Sequence, residues 1–164
     1  MTSSYRYFPN LITHSECDKI LNDLPEPNYS RAPAIDRTIE KVPLNTWYKM
    51  EKVPIRIELE ASDFIKSKLI ECLDTDFSVV KDRMYITKYN KDEYCEPHHD
   101  PSEDTIIIQL NSEYKGGLFT LNNTAIEMYK GDAVLFSNYN NLHGVRKIKQ
   151  GTRSSLALWI NFDK

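Results

Sequence analysis

The second half of the chain constrains the fold most, because it is a run of short strand-like segments separated by polar turns. These segments are rich in β-branched and aromatic residues, and they lie at residues 83–89, 105–110, 116–121, 126–129, 133–136, 142–145 and 154–160. The tripeptide Lys-Gly-Asp at residues 130–132 is typical of a hairpin turn between two of them. Seven or eight short strands with polar turns predict a double sheet of the jelly-roll or cupin-like kind, also called a double-stranded β-helix.

The first half of the chain predicts supporting helices. Thr13 and Glu16 form the pattern of a capping box, so a first helix is predicted to begin there. Its apolar residues recur at helical spacing, at Cys17, Ile20, Leu21 and Leu24. Pro54 is suited to the first position of a second helix, whose buried stripe is predicted to be Ile55, Leu59, Ser62, Ile65, Leu69 and Leu73.

The segment between these helices, residues 25–53, is rich in proline and predicts loops, with a short strand at about residues 37–42. Trp47 and Tyr48 lie in this segment, and we interpret them as part of a flap that faces the substrate. The alternative is that both aromatic rings simply cover the edge of the core.

Length and composition predict one domain, residues 1–164, in which residues 1–80 supply the helical support and flap and residues 81–164 the jelly-roll core. Apolar runs are too short to cross a membrane, and the N-terminus lacks the apolar core of a signal peptide. Three widely spaced cysteines favour reduced thiols, hence a cytoplasmic protein. A net charge of −3 gives no general attraction to nucleic acid.

A candidate metal site follows the first strand of the core. His98 and Asp100 stand at positions i and i+2 of an extended segment, so their side chains point to the same side, whereas His99 points away. His143 is the natural third ligand among the four histidines of the chain. Two imidazoles and one carboxylate suit Fe(II) and leave coordination positions open for other ligands. The alternative is a solvated His-His-Asp loop with no metal.

Arg153 is the second candidate site residue, because it begins a strand that is otherwise apolar. An arginine that points inward from such a strand needs an anionic partner. Ser155 lies two residues further on the same face, and a guanidinium beside a hydroxyl is a good receptor for a carboxylate. The alternative, an arginine at the strand end that reaches solvent, is equally consistent with the pattern.

These residues, taken together, resemble a known family. His98-x-Asp100, His143 and then Arg153 are similar to the pattern of the 2-oxoglutarate- and Fe(II)-dependent dioxygenases. Within this family, the chain resembles the prolyl-4-hydroxylase-like branch. The similarity lies in the sequences at residues 111–117, 130–136 and 151–156 and in the first helix with its pair Cys17-Asp18. The resemblance implies that His98, Asp100 and His143 hold Fe(II), and that Arg153 with Ser155 binds the distal carboxylate of 2-oxoglutarate.

Two tyrosines of the chain, and one position that differs from the family pattern, concern the cosubstrate pocket. The resemblance implies that Tyr89 lies at this pocket. Gln109 stands where prolyl hydroxylases often carry a tyrosine, so the pocket is either assembled differently or Tyr85 supplies the hydroxyl group from a neighbouring strand. No further catalytic base is implied, and we interpret His99 as a residue of the rim; the alternative is that it supports the metal ligands from behind.

The activity implied by the resemblance is hydroxylation of a C–H bond of a prolyl residue in a protein or peptide, or of free proline, with release of succinate and CO2. Its cofactors are Fe(II), 2-oxoglutarate and O2, and ascorbate is the further cofactor suggested. One alternative is a nucleic-acid demethylating dioxygenase, but Trp159 stands where that branch has a second arginine, and the basic residues Arg146, Lys147 and Lys149 suit a solvated strand. The other is a non-catalytic jelly-roll binding module, which would usually have lost a metal ligand.

Overall fold

The computed structural model describes residues 4–35, 41–49 and 54–162. Within these residues there are two α-helices, α1 at His14–Asn22 and α2 at Asp63–Cys72. The same residues form fourteen strands, which are β1 Tyr5–Phe8, β2 Trp47–Lys49, β3 Ile55–Glu60, β4 Phe77–Val79, β5 Arg83–Tyr89, β6 Cys95–His98, β7 Asp104–Gln109, β8 Tyr114–Gly116, β9 Phe119–Leu121, β10 Thr124–Ile126, β11 Ala133–Ser137, β12 His143–Val145, β13 Ile148–Gly151 and β14 Arg153–Phe162.

The strands of the described residues form a large sheet and a small sheet that face each other, as the predicted jelly roll requires. The large sheet has the order β1-β11-β7-β14-β5-β3-β2, and β4 pairs with the far end of β14. The small sheet has the order β10-β9-β12-β6, and β13 with β8 forms a separate two-stranded ladder. All the pairings between named strands are antiparallel. The prediction of a mainly β jelly roll with N-terminal helices is confirmed.

Two apolar cores lie on the two faces of the large sheet. On the outer face, alternate residues of the central strands pack against the helices, where Cys17 of α1 and Ile65 and Leu69 of α2 are buried. On the inner face, Tyr89 and Ile107 of the large sheet join Phe119, Leu121 and Val145 of the small sheet. Because side chains alternate along a strand, polar residues on this inner face point into the space between the sheets.

Helix α1 begins as predicted. The backbone N–H of Glu16 donates to the Thr13 hydroxyl at 3.1 Å, and the backbone N–H of Thr13 donates to the Glu16 carboxylate at 2.8 Å. These two bonds satisfy N–H groups that the first turn of a helix leaves without a partner. Cys17 is fully buried, as predicted for a core residue.

The prediction of a second helix from Pro54 is wrong for its first half. Residues Ile55–Glu60 form β3, which lies between β2 and β5 in the large sheet. The segment Ile-Arg-Ile-Glu-Leu-Glu alternates apolar and polar residues with a period of two, and pairing with β5 satisfies its backbone. Helix α2 begins only after Ser62, whose hydroxyl accepts from the Ile65 N–H at 3.1 Å.

The flap interpretation is also wrong, because Trp47 and Tyr48 belong to β2 and are buried. Trp47 packs in the outer core and donates from its indole Nε1 to the Pro25 carbonyl at 2.8 Å. The Tyr48 hydroxyl donates to Glu58 Oε2 at 2.9 Å. Residues 36–40, which hold most of the strand predicted at 37–42, lie outside the described residues, and residues 41 and 42 are not in a strand.

Residues 130–132 do not form the predicted hairpin, because the strands on either side belong to different sheets. Strand β10 pairs with β9, and β11 pairs with β1 and β7. Gly131 has φ +90° and a Cβ there would lie 2.4 Å from the Ile12 carbonyl oxygen, so glycine is required at this crossing point. The hairpin lies instead between β9 and β10, where Asn122 and Asn123 both have positive φ.

Candidate functional site

The three predicted metal ligands meet at one end of the space between the two sheets. His98 ends β6 and lies directly opposite His143 of β12, and Asp100 follows β6 by two residues. Asp100 Oδ1 lies 3.3 Å from His98 Nε2, and Asp100 Oδ2 lies 3.3 Å from His143 Nε2. All three ligand atoms lie within 4.8 Å of one another, which is a spacing that one metal ion can bridge. Among the described residues this is the one group of three such side chains with this property.

Backbone and side-chain contacts fix the orientation of these ligands. The Nδ1 atom of His98 lies 2.8 Å from the Glu96 carbonyl oxygen, which can only accept, so Nδ1 carries a proton and Nε2 is left to face Asp100. Asp100 Oδ2 accepts from the Thr105 hydroxyl at 2.8 Å, and Asn138 in turn donates to that hydroxyl at 2.9 Å. Sequence reasoning missed Thr105 and Asn138, and no motif marks either of them.

Electrostatics at the triad favour a negative Asp100. Burial alone would raise the pKa of Asp100, but hydrogen bonds with His143 and His98 outweigh burial and hold that pKa well below its usual range. Burial likewise opposes the charged form of His98, but its bonds to Asp100 and Cys95 raise its pKa to about 10. Burial lowers the pKa of His143. The site therefore holds a carboxylate that is ready to bind a cation, with one neutral imidazole beside it.

Arg153 and Ser155 lie on the inner face of β14, deeper in the same space. Arg153 is only 1% exposed, and its Nη1 donates to the Ser155 hydroxyl at 3.3 Å. Its Nε and Nη2 atoms find no acceptor in the part of the chain that the structure describes. A buried guanidinium without an anion is unfavourable. The arrangement therefore fits an anionic ligand, and the solvent-reaching alternative for Arg153 is wrong.

Tyr89 and Tyr85 of β5 stand beside this arginine on the inner face. Tyr89 is directly opposite Arg153 in the strand register, and the guanidinium carbon lies 5.5 Å from the centre of its ring. Burial raises the pKa of Tyr89, so its hydroxyl stays protonated. Tyr85 packs against Trp159 with the ring centres 4.3 Å apart, and both rings line the cavity.

Gln109 lies opposite Ser155 in the register, but its side chain turns away from the cavity. Its amide Nε2 donates to the Asn111 carbonyl at 2.9 Å and to the Tyr114 hydroxyl at 2.7 Å. These bonds hold the amide against β8, and Gln109 is not among the residues that line the cavity.

One cavity joins the metal triad to Arg153. Its walls come from both sheets, with Arg56, Tyr85, Thr87, Tyr89, Ile107, Arg153, Ser155, Ala157 and Trp159 on the large sheet and Cys95, Phe119, His143, Gly144 and Val145 on the small sheet. His99 is exposed, as expected of a residue that points away from the triad. Trp47 and Tyr48 are not among these lining residues, whereas Arg56, Thr87 and Cys95 are lining residues that sequence reasoning missed.

Neither helix of the described residues is long and apolar enough to cross a bilayer.

Comparisons with known proteins agree with this geometry. Residues 84–161 match the family model of the 2OG-Fe(II) oxygenase superfamily. No curated protein matches the chain by sequence.

Solved structures with a similar fold include the viral collagen prolyl hydroxylase vCPH from Paramecium Bursaria Chlorella virus-1, as a 2OG complex (TM-score 0.63, 16% identity, 98% of this chain and 96% of that chain covered). A prolyl hydroxylase from Trichoplax adhaerens in complex with a hypoxia inducible factor peptide fragment is also similar (TM-score 0.66, 16% identity, 99% and 84% covered). A third is HygX from Streptomyces hygroscopicus with nickel and 2-oxoglutarate bound (TM-score 0.61, 12% identity, 97% and 83% covered). At these identities the likeness shows the shared fold.

The residues of the site also fit the metal and cosubstrate that this family uses. Two imidazole nitrogens and a carboxylate suit Fe(II), and a buried arginine with unused donors suits a carboxylate. The match over residues 84–161, the jelly-roll fold and this donor set agree with one another: residues 84–161 match the 2OG-Fe(II) oxygenase superfamily, and the protein is an oxidoreductase of that kind.

Proposed function

We propose that the protein hydroxylates a C–H bond of a prolyl residue or of free proline, with Fe(II) held by His98, Asp100 and His143 and the distal carboxylate of 2-oxoglutarate held by Arg153 and Ser155. The observation that carries this proposal is the uncompensated guanidinium of Arg153 in the same cavity as the His-Asp-His triad. A metal site alone would not require a buried cation. A metal site and a carboxylate receptor in one cavity fit a 2-oxo acid that binds at both ends.

When bound, Fe(II) and 2-oxoglutarate supply the oxidising chemistry, in which O2 is consumed, 2-oxoglutarate becomes succinate and CO2, and one oxygen atom enters the substrate. The protein residues position these partners. Thr105 and Asn138 keep Asp100 in one orientation, and the Glu96 carbonyl keeps Nε2 of His98 directed toward the triad. Arg153 and Ser155 align the cosubstrate, and the apolar walls at Phe119 and Val145 exclude water.

The assignment of proline rests on the ring chemistry of the cavity. Tyr85 and Trp159 form an aromatic wall against which a pyrrolidine ring can pack, since apolar rings lie well on aromatic faces. The two prolyl hydroxylases with the same fold, one of them bound to a peptide, support the same substrate class. Trp47 and Tyr48 are not part of the proposed substrate pocket, because both side chains are buried in β2.

We also propose that residues 1–164 act as one domain. Strands β1, β2 and β3 come from the first 80 residues and extend the large sheet on both sides of the strands from residues 81–164. Helices α1 and α2 cover its outer face.

Mass spectrometry tests the proposed function. The protein is incubated with Fe(II), 2-oxoglutarate and, in separate reactions, free proline, proline-containing peptides and methylated oligonucleotides. A gain of one oxygen atom on proline, with succinate formed in equal amount, is the expected result. Demethylation of the oligonucleotide with proline untouched contradicts it and identifies a nucleic-acid dioxygenase instead. An Arg153→Met variant is the matched control, because it lacks the guanidinium that the cosubstrate needs.

A further inference from the structure

We propose that the protein has a second ligand site, separate from the cavity of the metal and cosubstrate, which binds a small primary amine with an apolar body. The site is a pocket of about 250 Å³. Its walls come from β8 and the residues that follow it, from the segment between Ile126 and Tyr129, and from Gln109 at the end of β7. The proposal does not depend on which substrate the oxygenase reaction uses.

The main polar group of this pocket is the side-chain amide of Gln109, which is fully buried. Its Nε2 donates to the Asn111 carbonyl and to the Tyr114 hydroxyl. Because the Asn111 carbonyl can only accept, this contact fixes which end of the amide is Nε2. The other end, Oε1, has no donor in the part of the chain that the structure describes. A buried acceptor without a donor is unfavourable, so the pocket suits a ligand that carries an N–H group.

The backbone holds Gln109 in this position. Its N–H donates to the Asp132 carbonyl at 2.9 Å, and its carbonyl accepts from the Gly131 N–H at 2.8 Å. The Lys130 N–H donates to the Ser112 hydroxyl at 2.9 Å, which ties together the two segments that form the walls. The acceptor is therefore fixed before any ligand binds, and little ordering is required on binding.

The rest of the lining is mainly apolar and aromatic. Phe119 and Ile126 are buried, whereas Leu118 is 41% and Tyr129 57% exposed. A water molecule alone would leave these two exposed side chains in contact with solvent, whereas a ligand with an apolar body covers them and also supplies the donor. The volume is below the roughly 300–1,000 Å³ of pockets for drug-sized molecules, so a small ligand fits it.

The carboxylate of Glu127 favours an amine over other donors. Among the described residues that line the pocket, Glu127 is the one ionic side chain, and it is exposed. A hydrogen bond from the Tyr129 hydroxyl to this carboxylate raises the pKa of Tyr129, but a neutral donor does not cancel the charge. A protonated primary amine has three N–H groups, so one of them can meet Oε1 of Gln109 while its charge is attracted to Glu127.

The pocket shares a wall with the cosubstrate cavity but none of its ligand residues. Phe119 is the one described residue that lines both. Gly117 has φ +64° and lies behind Arg153, since a Cβ at this position would be 3.4 Å from Arg153 Cδ and 2.3 Å from Ile148 Cδ1. The metal triad and Arg153 are not part of the lining. An amine should therefore bind while 2-oxoglutarate occupies its own site.

NMR titration of the isotope-labelled protein, loaded with Zn(II) and 2-oxoglutarate, tests this proposal. Benzylamine and benzyltrimethylammonium carry the same ring and the same charge at neutral pH, but only benzylamine has N–H groups. We expect benzylamine to bind with about millimolar affinity, as for a ligand of about eight non-hydrogen atoms, and to shift the amide signals of Gly116, Gly117 and Leu118. The quaternary compound should bind at least about tenfold more weakly, as for a lost charged hydrogen bond.

Three variants locate the amine. Gln109→Leu removes Oε1 and should weaken benzylamine binding about ten- to a hundredfold. Glu127→Gln removes one exposed charge and should weaken it about two- to fivefold, as for an exposed ion pair. Glu113→Gln is the matched control, because Glu113 is also exposed and lies between two lining residues without lining the pocket itself. It should leave the affinity unchanged.

Three results with the wild type would overturn the proposal: no saturable shifts at about 10 mM benzylamine, which is tenfold above the expected dissociation constant; equal affinities for the two compounds; or competition between benzylamine and 2-oxoglutarate, which would place the amine in the cosubstrate cavity. None of them depends on whether Gln109→Leu folds. An undiminished affinity in folded Gln109→Leu contradicts the role of Oε1. An undiminished affinity in Glu127→Gln contradicts the choice of an amine.

Discussion

Replacement of Arg153 by methionine should change two properties of the protein in opposite directions. The variant should lose 2-oxoglutarate binding, because the guanidinium fork is the carboxylate receptor in the proposed site. The cosubstrate-free variant should nevertheless be more stable than the wild type, because the wild type buries a charge that meets the Ser155 hydroxyl and the Tyr89 ring but no anion among the described residues. Methionine fills a similar volume without a charge.

The magnitudes follow from the burial and the contacts of Arg153. Its side chain is 1% exposed, and two of its nitrogen atoms have no acceptor among the described residues. Exchange of a buried ion pair for apolar residues of similar volume is often neutral or stabilises by about 1–4 kcal/mol, and a buried charge without an anion should fall at the stabilising end of that range. A lost charged hydrogen bond costs about 1.5–3 kcal/mol, or about ten- to a hundredfold in affinity, and the fork provides two such bonds. Arg153→Lys, which keeps the charge and loses the fork, should therefore show the affinity loss without the gain in stability.

The assay is chemical denaturation of the metal-loaded protein, with and without 2-oxoglutarate. A ligand that binds only the folded state stabilises it by mass action, so saturating 2-oxoglutarate should raise the wild-type midpoint. It should leave the Arg153→Met midpoint unchanged. A cosubstrate-free Arg153→Met protein that is less stable than the wild type would refute the argument that this charge is uncompensated. Wild-type 2-oxoglutarate affinity in Arg153→Lys would refute its role as the receptor.

Three further predictions concern the metal and the core. In calorimetric titrations with Fe(II) without oxygen, His98→Ala and His143→Ala should lose metal binding and His99→Ala should keep it; loss of binding in His99→Ala alone would contradict the assignment. The pKa of His98 is raised to about 10 in the metal-free protein, so metal binding at neutral pH must release a proton. The affinity for the metal should therefore rise by about tenfold per pH unit between pH 6 and 8. An affinity independent of pH would contradict this. Trp47→Ala should lower the free energy of unfolding by about 3–5 kcal/mol in urea denaturation, as for a large core residue, and an unchanged midpoint would favour the flap over the core.

The sequence predicted the jelly-roll half of the chain well because two independent patterns agree there. In the first pattern, apolar and polar residues alternate along a strand, or the strand is apolar throughout. In the second, the candidate ligands are spaced so that an extended backbone points them to the same side, as with His98 and Asp100. Which sheet each strand joins depends on where the chain crosses from one sheet to the other, and the sequence around a turn does not show this. Residues 130–132 look like a hairpin turn, but the Gly131 N–H donates to the Gln109 carbonyl and the Gly131 carbonyl accepts from the Ile12 N–H, so its partners lie elsewhere in the chain.

The errors in the first half have a common physical cause, which is that sheet pairing overrides local preference. Residues 55–73 contain apolar positions at helical spacing, but the alternation in Ile55–Glu60 also fits a strand, and only the presence of β5 beside it decides between the two. Trp47 and Tyr48 lie next to prolines and look like a loop, but β2 completes the sheet edge and buries both. Thr105, Asn138 and Arg56 were missed for the same reason, since their roles come from neighbours that are distant in sequence.

The segment wrongly predicted as a helix is connected with the candidate site, because it forms β3 and places Arg56 in the lining of the cavity. Without it, the inner face of the large sheet at this edge would end at Thr87 and Tyr85, and the cavity would hold the metal triad and one arginine. With it, Arg56 adds a second arginine to the lining, and it contacts Thr87 and the Tyr85 ring, which are themselves part of the wall. The residues proposed to bind metal and cosubstrate belong to the half of the chain that matches the superfamily, whereas Arg56 belongs to the half that does not. Substrate choice in this protein is therefore expected to depend on the first half of the chain, and the common chemistry on the second.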